Sequence, residues 1–222
     1  MTVDTAPGTI PPMTRRRSSP RSRSRPDARP SKGSGRLRII GGEYRRRLLP
    51  VLDNPGLRPT PDRVRETLFN WLATATPGAR VLDLFAGTGA LGLEALSRGA
   101  ASALFIERDA QVARTLADNL HTLGAAERGR VQAGDALAFL AAGPSNSTAF
   151  SLAFLDPPFR QDLAEPCCER LEQGWLTPEA WVYLETETAL DVCVPANWSL
   201  HREVRAGDST GRLYRRLAQP DE

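Results

Sequence analysis

Four short strand-like runs recur through the middle of this chain, each closed by an acid at or near its end and each followed by a helical pattern. They are Val81-Leu82-Asp83-Leu84-Phe85, Ala103-Leu104-Phe105-Ile106-Glu107, Arg130 to Ala133 ahead of Gly134-Asp135, and Ser151-Leu152-Ala153-Phe154-Leu155-Asp156. Apolar runs without alternation mark strands buried on both faces, as in a parallel sheet. Helices are expected from the end of the glycine motif near Gly92 to about Arg98, over Val112, Leu116, Leu120 and Leu123, up to about Ala142, and near 162–173. A strand follows at Trp181–Glu185. Two last β segments, near 198–205 and 212–218, flank Gly207-Asp208-Ser209-Thr210-Gly211 as an antiparallel hairpin. Repeated β-α units ending in such a pair predict an α/β fold, Rossmann-like and doubly wound, with a mostly parallel sheet of about seven strands. Open sheets of this kind bind ligands at the carboxyl ends of their strands, where the four acids stand.

The first run leads into Gly87-Thr88-Gly89-Ala90-Leu91-Gly92, a GxGxxG pattern between strand and helix, with Glu107 twenty residues past Gly87. Glycines admit a ligand to the backbone, and the acid suits ribose hydroxyls. On these features NAD and S-adenosylmethionine fit equally well. Asp83 favours the second, because a carboxylate there meets an ammonium group well and a pyrophosphate badly. Asp135 suits an adenine amine. The expected cofactor set is Asp83, Phe85, Ala86, Gly87, Thr88, Gly89, Glu107, Arg108, Gly134, Asp135 and Ala136.

The fourth run stops at Asp156-Pro157-Pro158-Phe159. Proline fixes φ and lacks an N–H, so the ladder ends in a stiff elbow with outward carbonyls. Acceptors beside an aromatic plane suit a planar group with an exocyclic amine, such as a nucleobase. Taken alone, the same residues also read as a strand-ending turn.

Charge divides the 222 residues unevenly. Residues 1–35 carry eight basic side chains against two acids, residues 36–72 eight against four, and the remainder thirteen against twenty. A basic front on an acidic body suggests a polyanion held by the first third and chemistry performed by the rest. Residues 1–35, rich in Arg, Ser and Pro, bury too little apolar surface to order and are expected to be disordered. Residues 36–59 read as a basic hairpin and proline-rich linker: strands Arg36–Ile40 and Tyr44–Leu49 joined by Gly41-Gly42. Arginine binds phosphate bidentately and stacks on bases, so Arg36, Arg38, Tyr44, Arg45, Arg46 and Arg47 are candidate RNA contacts. A helix begins near Thr60, with Pro61 at its first helical position, and carries Val64, Leu68, Trp71 and Leu72 towards the sheet. Arg58, Arg63 and Arg65, on or before it, extend the basic surface or form its solvated face. The catalytic domain is expected over 60–222.

Three cysteines, two of them adjacent (Cys167 and Cys168), make neither a disulfide framework nor a metal motif, and His121 and His201 stand alone. No metal, no membrane span and no signal peptide are expected, and the setting is a reducing cytoplasm.

Asp83-Leu84-Phe85-Ala86-Gly87-Thr88-Gly89 together with Asp156-Pro157-Pro158-Phe159 resembles a class I methyltransferase acting on an exocyclic amine. Arg38-Ile39-Ile40-Gly41-Gly42, the stretch from Gly56 to Leu72, Ala90 to Arg98, and Val194 to Glu203 resemble the bacterial 16S ribosomal RNA guanine-N2 methyltransferases of the RsmD type. The likeness spans about residues 36–218. It implies S-adenosylmethionine as donor and guanine 966 of 16S rRNA in the 30S subunit as target; catalysis is expected at Asp156, Pro157, Pro158 and Phe159, and the protein is expected to be a monomer. Arg46 departs from the pattern, standing where the family has a small glycine. Competing readings are an adenine-N6 or protein-glutamine methyltransferase, a Rossmann oxidoreductase, and a non-catalytic RNA-binding module.

Overall fold

The computed structural model describes residues 1–2, 34–52, 60–144 and 149–217. Strands β1 (Ser34–Arg38) and β2 (Leu48–Leu52) precede α1 (Asp62–Trp71), β3 (Arg80–Asp83), α2 (Ala90–Ser97), β4 (Ser102–Glu107) and α3 (Ala110–Leu123). Then come β5 (Gly129–Ala133), α4 (Ala136–Ala141), β6 (Phe150–Leu155), α5 (Ala164–Leu171), β7 (Leu176–Glu187), β8 (Trp198–Ala206) and β9 (Ser209–Arg216). The last seven strands form one sheet in the order β5-β4-β3-β6-β7-β9-β8. Pairing is parallel from β5 to β7, and β9 runs antiparallel to both β7 and β8. This is the class I methyltransferase architecture, and its strand order reverses between β3 and β6, the place where such sheets hold ligands.

Alternate residues of the strands face opposite layers. Val81, Phe105, Leu152, Phe154, Tyr183 and Leu213 join the helices α1 to α3 in one buried cluster. Leu82, Ile106, Ala153, Leu155, Val182 and Leu184 join α4 and α5 in the other. Two-sided burial is what non-alternating apolar runs require. Capping sets the boundaries of α3. Asp109 accepts from the backbone N–H of Gln111 and Val112 at the start of α3, which ends where Gly124 turns left-handed.

Several segments differ from the sequence reading. β3 ends at Asp83, with Leu84 and Phe85 already in a turn, and β7 is longer than expected at both ends. The β8–β9 turn holds only Gly207 and Asp208, since Ala206 pairs with Ser209. Pro61 is the N-cap of α1 and not its first helical residue. In the N-terminal hairpin Arg38 pairs with Leu48, so Tyr44–Arg47 belong to the connection and not to a strand. Arg46 there has φ 68°, a left-handed conformation that glycine adopts without strain. Residues 3–33 of the expected disordered tail, and Arg58, lie outside the described residues.

One buried carboxylate anchors the hairpin connection to the sheet. Glu94 of α2 is fully buried and accepts from the backbone N–H groups of Ile40 and Gly41, both at 2.8 Å, and from Arg98 Nε at 2.7 Å. Arg65 of α1 lies 3.8 Å from it. Ser97, one turn on, accepts from Tyr44 N–H and donates to the Gly41 carbonyl. Removing one partner from such a buried ionic network costs about 3–5 kcal/mol. Glu94→Ala is therefore expected to lower the urea midpoint and to speed amide exchange at Ile40 and Gly41 before the sheet opens. Unchanged exchange there would contradict the anchor.

Candidate active site

The site is a consequence of strand register. Asp83 pairs with Phe105 of β4 and Phe154 of β6, and Phe154 pairs with Tyr183 of β7. Glu107, Asp156 and Glu185 each stand two residues further along, on the same face as their apolar predecessors, because side chains alternate with period two. Four acids therefore stand at the carboxyl ends of four adjacent strands. Asp83 sits one repeat deeper than the others, where the chain leaves the sheet.

Backbone amides hold Asp83 and Glu107 in place, and hydroxyls hold Glu185. Asp83 Oδ2 accepts from Gly92 N–H at 2.9 Å. Burial, reinforced by the Glu107 charge and opposed by that N–H, raises its pKa from 3.8 to about 7. Glu107 accepts from Gly87 N–H and Asp109 N–H, each at 2.7 Å, so it shapes the glycine loop directly. Gly87 and Gly89 have φ 51° and 78°. A Cβ at Gly89 would lie 2.4 Å from Leu116 Cδ1, so both conformation and space demand glycine there. Asp135 is exposed and caps α4 through Ala138 N–H at 2.9 Å. Gly134 donates its N–H to the Glu107 carbonyl.

Asp156 closes β6. Burial, then the charges of Glu185 and Asp83, hold its carboxyl well above the usual range. Pro157 is buried, Pro158 exposed, and Phe159 is 40% exposed at the mouth. The backbone just beyond the elbow is strained. Arg160 and Asp162 have φ 60° and 51°, conformations that cost non-glycine residues energy, and Arg160 N–H donates to Glu187 at 2.5 Å.

The residues fit S-adenosylmethionine. A deep carboxylate suits its ammonium group, the glycine loop lets a nucleoside approach the backbone, and a row of acids suits a sulfonium. Among the described residues no basic side chain forms an ion pair with Asp83, Glu107, Asp156 or Glu185. Of the other expected cofactor residues, Ala86 and Thr88 line the loop, Arg108 is exposed beside Glu107, and Ala136 is buried. Phe85 packs towards the cluster on the opposite face.

The basic set divides. Arg36, Arg38, Arg45, Arg46, Arg47 and Arg63 are exposed, and Arg47 donates to the Thr122 carbonyl at 3.1 Å. Arg65 and Tyr44 do not belong with them. Arg65 is 1% exposed and donates to the Arg38 carbonyl and to Asp62. Its charge is drawn inward by Glu94, which leaves nothing to present to RNA. Tyr44 is 5% exposed; its ring joins the core and its hydroxyl receives Arg128.

Glu185 was missed as a site residue, although it ends the apolar run Trp181–Glu185 much as the other acids end theirs. Thr60, Tyr183 and Ser209, all directed at it, carried no motif of their own.

Residues 37–215 match the family model described as Conserved hypothetical protein 95. The chain belongs to this family. It is 55% identical over 189 residues to the ribosomal RNA small subunit methyltransferase D of Escherichia coli K12, covering 84% of this chain and 93% of that protein. The Haemophilus influenzae protein of the same name is 47% identical over 182 residues, covering 81% and 94%. The solved structure of Escherichia coli yhhF superposes with a TM-score of 0.75 at 54% identity, over 83% of this chain and all of that one. An RNA methyltransferase from Salinibacter ruber, solved with S-adenosyl-L-homocysteine, shares the fold alone, with a TM-score of 0.55 at 19% identity, over 74% and 97% of the chains. The chain is thus an RsmD-type protein with the class I methyltransferase fold, whose cofactor is S-adenosylmethionine. Among the described residues no group of His, Cys, Asp and Glu could hold a metal, and no helix is long and apolar enough to cross a membrane.

Asp83 makes stability depend on pH. Between its ordinary value of 3.8 and about 7, the folded protein keeps a proton that the unfolded chain releases. Stability therefore falls as pH rises across that window and levels above it, a loss on the order of 4 kcal/mol. Asp83→Asn is expected to melt higher than the parent at pH 8 and to lose less Tm between pH 5 and 8. An unaltered slope would exclude Asp83 as its source.

Proposed function

We propose that the protein methylates the N2 amine of guanine 966 of 16S rRNA within the 30S subunit, acting as a cytoplasmic monomer. The observation that carries this reading is the Asp156-Pro157-Pro158-Phe159 elbow, at the carboxyl end of β6, beside the glycine loop and Asp83 on neighbouring β3. The names of the closely similar relatives support ribosomal RNA as the substrate.

S-adenosylmethionine, when bound, supplies a methyl group already activated by positive sulfur. The protein's task is orientation, which can supply up to about 7–11 kcal/mol. A guanine amine is a weak nucleophile because its lone pair is delocalised into the ring. The Asp156 carboxylate and the Pro157 carbonyl accept its two N–H bonds, turn the lone pair out of the ring plane, and stabilise the charge that grows on nitrogen. Phe159 stacks on the base, a contact worth about 1–3 kcal/mol. The guanine must leave its stack to enter. The exposed arginines of the hairpin, without an acid within ion-pair reach among the described residues, hold the phosphates around it.

Incubating 30S subunits from a strain lacking the enzyme with labelled donor, then mapping the modified nucleotide, tests the assignment. The label is expected on guanine 966 N2. Label on an adenine, on another nucleotide or on protein would overturn it.

Asp156→Ala should reduce transfer at least a hundredfold while the donor still binds; retained turnover would remove Asp156 from the chemistry. Arg36→Glu with Arg45→Glu should weaken RNA binding. Each lost phosphate contact should also flatten the dependence of log affinity on log salt by about 0.7–0.9. An unchanged slope would place the RNA elsewhere.

A further inference from the structure

The reaction leaves one requirement unmet by the elbow alone. A methylated amine carries a positive charge until it loses a proton, and the guanine-N2 reading, on which this inference rests, assigns no group to receive it.

Asp156 has a neighbour that the elbow motif does not include. Leu155 pairs with Leu184 across the parallel β6–β7 ladder, so Asp156 and Glu185 occupy the next step of adjacent strands, which run about 4.8 Å apart. Glu185 is buried, and both its oxygens are engaged. Oε1 accepts from Ser209 of β9 at 2.8 Å, and Oε2 accepts from the Tyr183 hydroxyl at 3.0 Å with the Thr60 hydroxyl at 3.5 Å. Three elements thus direct hydroxyls at one carboxylate. Gly211, paired with Glu185 across β7–β9, leaves room for this arrangement, since a Cβ there would lie 2.1 Å from the Tyr183 hydroxyl oxygen. Such a device is superfluous for packing, because an apolar side chain of the same volume would fill the space at lower cost.

We propose that Glu185 is a positioning residue of the transfer site: it forms a facing carboxylate pair with Asp156 and, acting through Asp156, equips the elbow to take the proton that the target amine sheds. The amine nitrogen bonds the methyl carbon as that carbon's bond to sulfur breaks, the bonding pair staying on sulfur. The nitrogen, now positive, passes one proton to Asp156 and ends as a neutral secondary amine. Glu185, with its oxygens occupied by hydroxyls, stays in place as the negative neighbour that raises the proton affinity of Asp156. The groups facing Asp156 are Glu185 from β7 and Asp83 from β3, and Tyr183 also feels the Asp156 charge. Thr60 and Ser209 reach the pair through Glu185. Among the described residues no basic side chain forms an ion pair with either member.

The first measurement needs neither donor nor RNA. Carbon-13 NMR of the full-length protein labelled at aspartate carboxyls, with the Asp156 signal assigned by Asp156→Asn, follows the Asp156 titration. Its midpoint is expected well above the ordinary carboxylate range. It should fall by about one pH unit or more, a tenfold change in proton affinity, in Glu185→Gln, and stay raised in Glu185→Asp. The acid limb of single-turnover methyl transfer should move to lower pH in Glu185→Gln, with the plateau rate reduced and the KM for 30S subunits unchanged. A parent midpoint near 4 would overturn the proposal whether or not the variants fold. So would a Glu185→Gln midpoint equal to the parent's, or a uniform loss of activity with the limb unmoved. Failure of the guanine assignment shows up separately, in the mapped nucleotide, and leaves this titration unaffected.

Discussion

Uncompensated negative charge at the edge of a parallel sheet is the constraint on which this structure turns. Glu107, Asp83, Asp156 and Glu185 stand at or near the carboxyl ends of four consecutive strands of the sheet, and no arginine or lysine among the described residues forms an ion pair with any of them. At Asp83 and Asp156 the cost of burying an unpaired carboxylate shows as raised proton affinity. Backbone N–H groups at Gly87, Gly92 and Asp109 and hydroxyls at Tyr183 and Ser209 keep the acids in position without neutralising them. A site of that character suits a cation. It repels a diphosphate, which removes the physical basis for a dinucleotide at the same glycine loop.

The same helix that begins at the glycine loop ends at the hairpin. α2 receives Asp83 through Gly92 N–H near its start and grips Ile40 and Gly41 through Glu94 two residues later. β2 approaches the loop from the other side. Val51 and Leu52 share a shallow cleft with Gly87 and Thr88, and Asn119 of α3 donates to the Pro50 carbonyl at 2.9 Å. Basic exterior and acidic interior are thereby joined through short, buried contacts. In the proposed reaction this joint would keep the element that holds phosphates in fixed register with the one that receives the base.

Much of this was legible in the sequence because periodicity is a local property. Runs such as Ser151–Leu155 announce double burial, and the prolines after Asp156 announce where the ladder stops. The hairpin was misread because Tyr44-Arg45-Arg46-Arg47 has a strand-like composition, whereas its conformation is set by Ser97 and Glu94, far along the chain. Arg65 illustrates the same limit. A guanidinium on an amphipathic helix is assumed to be wet, and only the position of Glu94 shows that this one is buried. Glu185 differs from both, since its place at a strand end gave the same signal as Asp83 and Glu107. What the sequence lacked was the β6–β7 register that sets it beside Asp156.

The most direct measurement is a crystal structure of the full chain with S-adenosylmethionine or its demethylated product. The account predicts the amino acid moiety against Asp83, the nucleoside along Gly87 and Gly89, and the sulfur facing Asp156 and the Pro157 carbonyl across an open gap. A donor whose sulfur points away from that elbow, or one bound outside the β3–β6 crevice, would contradict it.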